Sequence, residues 1–256
     1  MRNHSSWTGA APIASLNKKT EGLKESWHLR WKPVCGSTEL ELARWLKSSR
    51  RSAVNNPKAF FAGRQSHGKG QRGRIWDAPL GGVWLSAAIP CKNLDRYQSA
   101  GLFGLGVAVA LANRLEESNI PVRIKWPNDL LVDGKKLAGF LPRVTYRGQI
   151  PILMCIGIGL NVCNPGPPEG ASLSELFPLH RPSSLQWSLE VLIAIEKALC
   201  LLMRPEYLCK EAERLLWKKQ IKKIDSEEIW SIQGLDISGQ LRVWNGTKEE
   251  TWNRWS

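Results

Sequence analysis

The sequence has few histidines and no paired cysteines. Its four histidines, at 4, 28, 67 and 180, are too scattered for a metal cluster. Its six cysteines, at 35, 91, 155, 163, 200 and 209, contain no CxxC spacing. That argues against structural zinc and for a reducing compartment. Cys91, Cys155, Cys200 and Cys209 lie in or beside apolar runs and read as small core residues. No apolar run approaches the length of a membrane helix, so no membrane association is expected. Residues 1–26 lack the apolar stretch of a secretory signal. There is no internal repeat and no low-complexity tract. The phosphate-loop pattern G-x-x-x-x-G-K-[ST] is also absent. No Ser-His-Asp order and no cysteine–histidine signature stands out, so covalent catalysis by the protein is not indicated.

What the chain does have is a core and a charge. Hydrophobic residues make up 43 % of the 256, ample for one large domain or one large and one small. Thirty-six Lys and Arg against 23 acids give +13. Solubility alone accommodates such a balance, and so does an anionic partner: nucleic acid, a phosphorylated ligand or an acidic protein. Arg2, Lys18 and Lys19 stand with several serines and no acid over residues 2–19. A frayed N-terminal tail over 1–26 is expected, in a cytoplasmic protein. An organelle transit segment is the alternative.

Strands and helices interleave along the chain. "HLRWKPV" (28–34) reads as a strand. Thr38-Glu39-Leu40-Glu41 has the capping-box pattern, with Thr38 as cap, and Leu42, Trp45 and Leu46 follow at helical spacing, so a helix is expected over about 38–48. "AFFAG" (59–63) and "VWLSAAI" (83–89) read as strands. Residues 99–117 read as a buried helix. "VRIKW" (122–126) reads as a strand ended by Pro127, and 129–141 as a hairpin turning at Asp133-Gly134. "PILMCIGIGLNV" (151–162) reads as a buried strand. Helices are expected at about 184–203 and 205–217, the second opened by Pro205. After a basic connector (Lys218, Lys219, Lys222, Lys223), short alternating stretches predict a small β module. The expected organisation is a tail at 1–26, an α+β catalytic domain at 27–222 and an SH3-like module at 223–256.

Four segments carry candidate chemistry. In "GRQSHGKGQRGRIW" (63–76), Arg64, Lys69, Arg72 and Arg74 alternate with glycines and no acid intervenes. Glycines let backbone N–H groups approach an anion, and arginine grips phosphate in two-pronged fashion. A solvated basic loop is the plain alternative. In "KWPND" (125–129) and "KKLAG" (135–139), the hairpin returns Lys136 toward Asn128 and Asp129. A carboxylate beside a lysine at a sheet end suits a nucleotide phosphate and its Mg2+, and equally an ordinary surface ion pair. In "GIGLN" (157–161), Gly157 and Gly159 leave room for a ligand against the strand, and Asn161 offers a donor and an acceptor to an adenine edge. In "GSTE" (36–39), Ser37 and Thr38 suit a neutral polar ligand or a helix cap.

Together and in this order, the four segments resemble the biotin protein ligase family, "KWPND…KLAG" most specifically. The similarity runs over roughly 28–250, since "GLDISGQLRV" (234–243) resembles that family's small C-terminal module. Some 36 residues precede Ser37, too few for the DNA-binding winged helix that many members carry, so no specific DNA binding is expected. The resemblance implies ATP and biotin as substrates, Mg2+, and a biotin carboxyl carrier protein of acetyl-CoA carboxylase as acceptor. A monomer or homodimer is expected.

Matched position by position, Ser37, Thr38 and Gln65 surround biotin's ureido ring. Gly68, Lys69 and Gly70 fold over biotin and its adenylate, with Gly139, Gly157 and Gly159 also on the biotin side. Arg72, Arg74 and Asn128 serve the nucleotide, Trp76 packs on adenine and Asn161 reads it. Lys136 bridges the biotin carboxylate and the α-phosphate, and Asp129 stands near the metal and the reacting carbonyl. The catalytic set so implied is Lys136, Arg74 and Asp129.

Two residues depart from the family pattern. Glu39 stands where Asn is usual, and Gln71 where the loop's second arginine is usual. A lipoate ligase or octanoyltransferase of the same fold is the rival reading, and a non-catalytic nucleic-acid-binding module is a more remote one.

Overall fold

The computed structural model describes residues 11–48, 55–91, 99–177, 182–223 and 227–253. Its elements run α1 (Ala11–Thr20), β1 (His28–Cys35), α2 (Thr38–Ser48), β2 (Lys58–Lys69), β3 (Ile75–Ala78), β4 (Val83–Pro90), α3 (Ala100–Glu117), β5 (Arg123–Lys125), β6 (Asp129–Val132), β7 (Lys135–Arg147) and β8 (Ile150–Leu160). There follow α4 (Leu173–Leu176), α5 (Ser184–Leu202), α6 (Pro205–Leu215), β9 (Gln220–Lys222), β10 (Ile229–Leu235), β11 (Leu241–Trp244) and β12 (Glu249–Trp252). The α+β class holds. The main sheet has the order β1-β2-β4-β8-β7-β6-β5, with β3 folded back on β2. Only β1 and β2 pair in parallel; the other partners are antiparallel.

The two faces of this sheet are covered unequally. One face takes α3 and α5, whose Phe103, Val107, Leu111, Val191 and Ile195 pack with Leu85, Phe140 and Ile158 in the principal core. The other face takes α2, through a smaller cluster of Leu42, Trp45, Phe60, Ala88, Leu153 and Cys155. Strand alternation puts Ser86, Gly157 and Gly159 on this second face. Beyond the N-terminus of α2 they have no helix over them.

The small sheet, in the order β12-β11-β10-β9, closes the end of the domain. Trp230, Leu241, Val243 and Trp252 belong to the principal core. Trp126 Nε1 donates to Gly239 O at 2.9 Å, and Glu213 Oε1 accepts from Leu235 N at 2.6 Å. Among the described residues no helix is long and apolar enough to cross a membrane.

Five expectations need correction. The tail expected over 1–26 is helical from Ala11: Leu16 is fully buried, and Glu196 on α5 accepts from Lys24 N, Glu25 N and Trp27 Nε1. Residues 1–10 lie outside the described residues. The small sheet starts at Gln220, before the expected boundary at 223, because β9 pairs with β10. Thr38 does not cap α2; it is the first helical residue, and its hydroxyl turns to Gln65 and Ser86. The strand expected to stop at 63 continues to Lys69. Cys200 on α5 is exposed, since apolar neighbours in sequence do not fix which side of a helix faces inward, and Cys35, at the end of β1, is buried. The remaining strands and helices fall where periodicity places them, and Asp133 and Gly134, both at positive φ (49° and 77°), form the expected turn.

Candidate functional site

The basic stretch at 63–76 is a hairpin. β2 and β3 pair with Gln65 opposite Ala78, Gly68 opposite Trp76 and Lys69 opposite Ile75. A 3-10 turn at Gln71–Gly73 reverses the chain, with Arg72 and Gly73 at positive φ, and Gly70 N donates to Arg74 O at 2.7 Å. This geometry turns Trp76 inward over the sheet and leaves Arg72 and Arg74 exposed at the tip.

Beneath the hairpin lies a cavity of about 60 Å³. Its polar side chains form two levels, set by strand register. At one level Phe60, Ser86, Gly157 and Leu141 are aligned across β2, β4, β8 and β7. At the next, Trp84, Gly159, Gly139 and Asp129 are aligned across β4, β8, β7 and β6. Two residues of strand separate the levels, about 7 Å.

The first level is built from neutral hydrogen-bonding side chains, with the Glu39 carboxylate beside them. Gln65 Oε1 accepts from Thr38 N at 2.8 Å and from Thr38 Oγ1 at 3.1 Å. Thr38 Oγ1 also meets Ser86 Oγ at 2.9 Å, and Ser37 is buried beside them. The second level is charged and aromatic. Lys136 Nζ lies 2.7 Å from Asp129 Oδ1 and 4.8 Å from the centre of the Trp76 ring. Asn128 Nδ2 donates to Phe140 O at 3.0 Å, which ties the turn after the cis Trp126–Pro127 bond to β7.

The Trp76 indole fills the space that the glycines leave. A Cβ on Gly159 would come within 2.5 Å of it, and one on Gly139 within 2.8 Å. It meets Trp84 edge-on at 6.3 Å, and its buried Nε1 has no hydrogen-bond partner among the described residues. The room that the sequence reserves for a ligand at Gly139 and Gly159 is thus held by the protein's own side chain.

Ser37, Thr38, Gln65, Lys69, Gly70, Trp76, Asn128, Asp129, Lys136, Gly139, Gly157 and Gly159 all line the cavity. Gly68, Arg72, Arg74 and Asn161 do not. Gly68 is buried within the hairpin. Asn161, expected to read adenine, is spent on the protein: Nδ2 donates to Lys136 O at 3.4 Å, and Oδ1 accepts from Asn164 Nδ2 at 2.9 Å. It steadies the strand that carries Lys136. Sequence reasoning missed Ser86 and left Glu39 without a role, yet both line the cavity. A lone serine in the apolar strand "VWLSAAI" was the available signal.

Of the lining residues only Glu39 and Asp129 carry carboxylates, at different levels. Among the described residues no three metal-ligating side chains come together. That donor set fits Mg2+ carried on substrate phosphates with one protein carboxylate, Asp129, and not a dedicated protein cage.

Residues 37–161, which hold every residue that lines the cavity, match the Biotin/lipoate A/B protein ligase family. That segment, just under half of the chain, is therefore similar to that family. It is 34 % identical over 150 residues to the bifunctional ligase/repressor BirA of Bacillus subtilis, covering 56 % of this chain and 42 % of the relative. It is 30 % identical over 203 residues to biotin–protein ligase 2 of Arabidopsis thaliana, covering 69 % of this chain and 59 % of the relative. The chain thus spans about half the length of these curated relatives. The fold matches a biotin protein ligase from Aquifex aeolicus solved with biotin and ATP, at TM-score 0.70 and 23 % identity, over 89 % of this chain and 96 % of that one.

Proposed function

We propose that the chain is an ATP-dependent biotin–protein ligase. Biotin's carboxylate attacks the α-phosphorus of ATP, pyrophosphate leaves, and biotinyl-5′-AMP forms. The ε-amine of a carrier lysine then attacks the acyl carbon, AMP leaves with the bonding pair, and the amine loses a proton. The observation that carries this reading is the two-level cavity. A hydrogen-bonding end with Thr38, Gln65 and Ser86 lies about 7 Å from a lysine–carboxylate end, with Leu141 and Trp76 as apolar surface. A molecule with a polar uncharged ring, an alkyl arm and a carboxylate fits that order.

In this reading Thr38, Gln65 and Ser86 orient the ring, with Ser37 packed behind them. Lys69 and Gly70 close over the arm. Lys136, drawn from Asp129 to the reacting oxygens, balances the charge of two approaching anions. Arg72 and Arg74 at the exposed tip fold in toward the phosphates. Mg2+ on the nucleotide supplies further neutralisation of those phosphates. Asp129, released by Lys136, orients the incoming amine and accepts its proton in the second step. Asn161 acts by fixing the backbone of Lys136, not by reading the base.

Sixty cubic ångströms is far below the ~300 Å³ of pockets that enclose whole ligands. Binding therefore moves the Trp76 indole off Gly139 and Gly159. Its unpartnered N–H makes that departure inexpensive, because the buried donor regains a partner. Hairpin closure over the intermediate then excludes water from a reactive acyl phosphate.

The acceptor in this reading is the biotin carboxyl carrier protein of acetyl-CoA carboxylase. ATP-dependent transfer to that carrier, with labelled biotin and lipoate in competition, is the test. Biotin transfer unaffected by excess lipoate is expected. Transfer of lipoate in its place would move the assignment to the lipoate branch of the family.

A further inference from the structure

The hydrogen-bonding end of the cavity also holds a charged pair. Glu39 lines the cavity one residue into α2, and its Oε1 lies 3.3 Å from Arg143 Nη1 on β7. Both side chains are partly shielded, at 26 % and 43 % exposure. Glu39 stands where the related motif carries Asn, and Arg143 reaches it from the strand that also supplies Leu141.

Hydrogen-bond accounting at this end is specific. Because Gln65 Oε1 accepts from both Thr38 N and Thr38 Oγ1, the amide orientation is fixed. The NH2 of Gln65, with no partner among the described residues, is the group left to donate. It suits the carbonyl of a cyclic urea. The two ring N–H groups of a urea need acceptors. Thr38 Oγ1 donates to Gln65 and Ser86 Oγ to Thr38, at 3.1 and 2.9 Å, so the Ser86 oxygen can accept one ring N–H and the other needs a further acceptor. The other carboxylate of the cavity, Asp129, is held by Lys136 at the far level. Glu39 remains, with a second oxygen not engaged by Arg143.

We propose that Glu39 accepts a ureido N–H of the substrate ring and that Arg143 holds the Glu39 carboxylate in place. The pair is then a specificity determinant for a ring that donates hydrogen bonds. A sulfur or hydrocarbon ring has no donor to offer, and would shield the carboxylate from water without compensation. Arg143 is a positioning residue, since it acts through Glu39. This proposal rests on the biotin reading of the cavity.

The test is biotin-dependent ATP–pyrophosphate exchange, with biotin and with biotin methylated on either ureido nitrogen. The unmodified protein should prefer biotin over one of the methylated forms by about 10–100-fold, the range for a hydrogen bond to a charged group. Glu39→Ala should raise the KM for biotin by a similar factor, leave kcat within about threefold, and remove most of that preference. Glu39→Gln, which keeps an acceptor oxygen, should retain part of it. Arg143→Met should raise the KM by less than Glu39→Ala and add nothing on top of it. If Glu39→Ala does not fold, Glu39→Gln and Arg143→Met carry the comparison. An unchanged preference in folded variants, with normal exchange by the unmodified protein, overturns the role of Glu39 alone. No biotin-dependent exchange by the unmodified protein overturns the functional reading and this proposal together.

Discussion

The hairpin at 63–76 and the small C-terminal sheet each carry four cations and both carry tryptophan, yet they use these residues in opposite ways. In the small sheet the cations are matched: Lys222 with Glu227 at 2.6 Å, Lys223 with Glu250 at 3.4 Å, Arg242 with Glu249 at 3.1 Å, Lys248 with Glu250 at 2.7 Å. Its two buried tryptophans are matched too. Trp230 and Trp252 pack at 5.4 Å, and their Nε1 groups donate to Glu228 and Glu250. In the hairpin, Arg64, Lys69, Arg72 and Arg74 pair with no carboxylate among the described residues, and the Trp76 N–H is buried without a partner. Matched charge holds a module together. Unmatched charge over a cavity is a demand for an anion, and an unsatisfied indole is a part ready to move.

The comparison breaks most visibly at Lys136. Lys136→Ala should lower biotin-dependent pyrophosphate exchange on the order of 10²–10³-fold while the circular dichroism stays that of a folded protein. Normal exchange in that variant would return the hairpin to the status of a solvated loop. Trp76→Ala should come next, raising the KM for ATP about tenfold through loss of stacking on the base. Gln71→Arg adds a cation to the 3-10 turn at the hairpin tip. It should slow release of biotinyl-AMP severalfold, and an off-rate equal to that of the unmodified protein would remove the tip from the ligand's contacts.

The smallest effect belongs to the small sheet. The Glu250 carboxyl is pulled down to about 2, by Lys248 first, then by the Trp252 N–H and Lys223. A depressed carboxyl stabilises the fold above its ordinary range and loses that contribution as pH falls from about 4.5 through 2. The melting temperature of the unmodified protein should therefore fall more steeply in that window than that of Glu250→Gln. Exchange at neutral pH should be the same in both. A loss of exchange in Glu250→Gln would mean that the two regions are not separate in function.

Much of this was legible in the sequence, for local reasons. The Asp133-Gly134 turn sets Leu131 opposite Lys136, and the Lys136 side chain reaches along β6 to Asp129. Glycines spaced two apart on β8 fix which face of the sheet is bare. What was not legible depends on long-range partners. Thr38 has a good capping sequence, but the Gln65 carbonyl, 27 residues away, competes for its hydroxyl and takes it. Asn161 looks free at the end of a strand until Asn164 folds back on it. The Glu39–Arg143 contact joins residues about a hundred apart and has no periodic signature. The Trp76 indole on Gly139 and Gly159 follows from the β2–β3 register, which the glycines had disguised as a loop.

The central claim is that this cavity makes an acyl-adenylate from biotin. Incubation of the unmodified protein with ATP, Mg2+ and biotin tests it most directly, with pyrophosphate measured in solution and the retained ligand weighed by mass spectrometry. The account predicts biotin-dependent pyrophosphate release and biotinyl-5′-AMP bound at up to one per chain. No pyrophosphate, or pyrophosphate released equally without biotin, would contradict it.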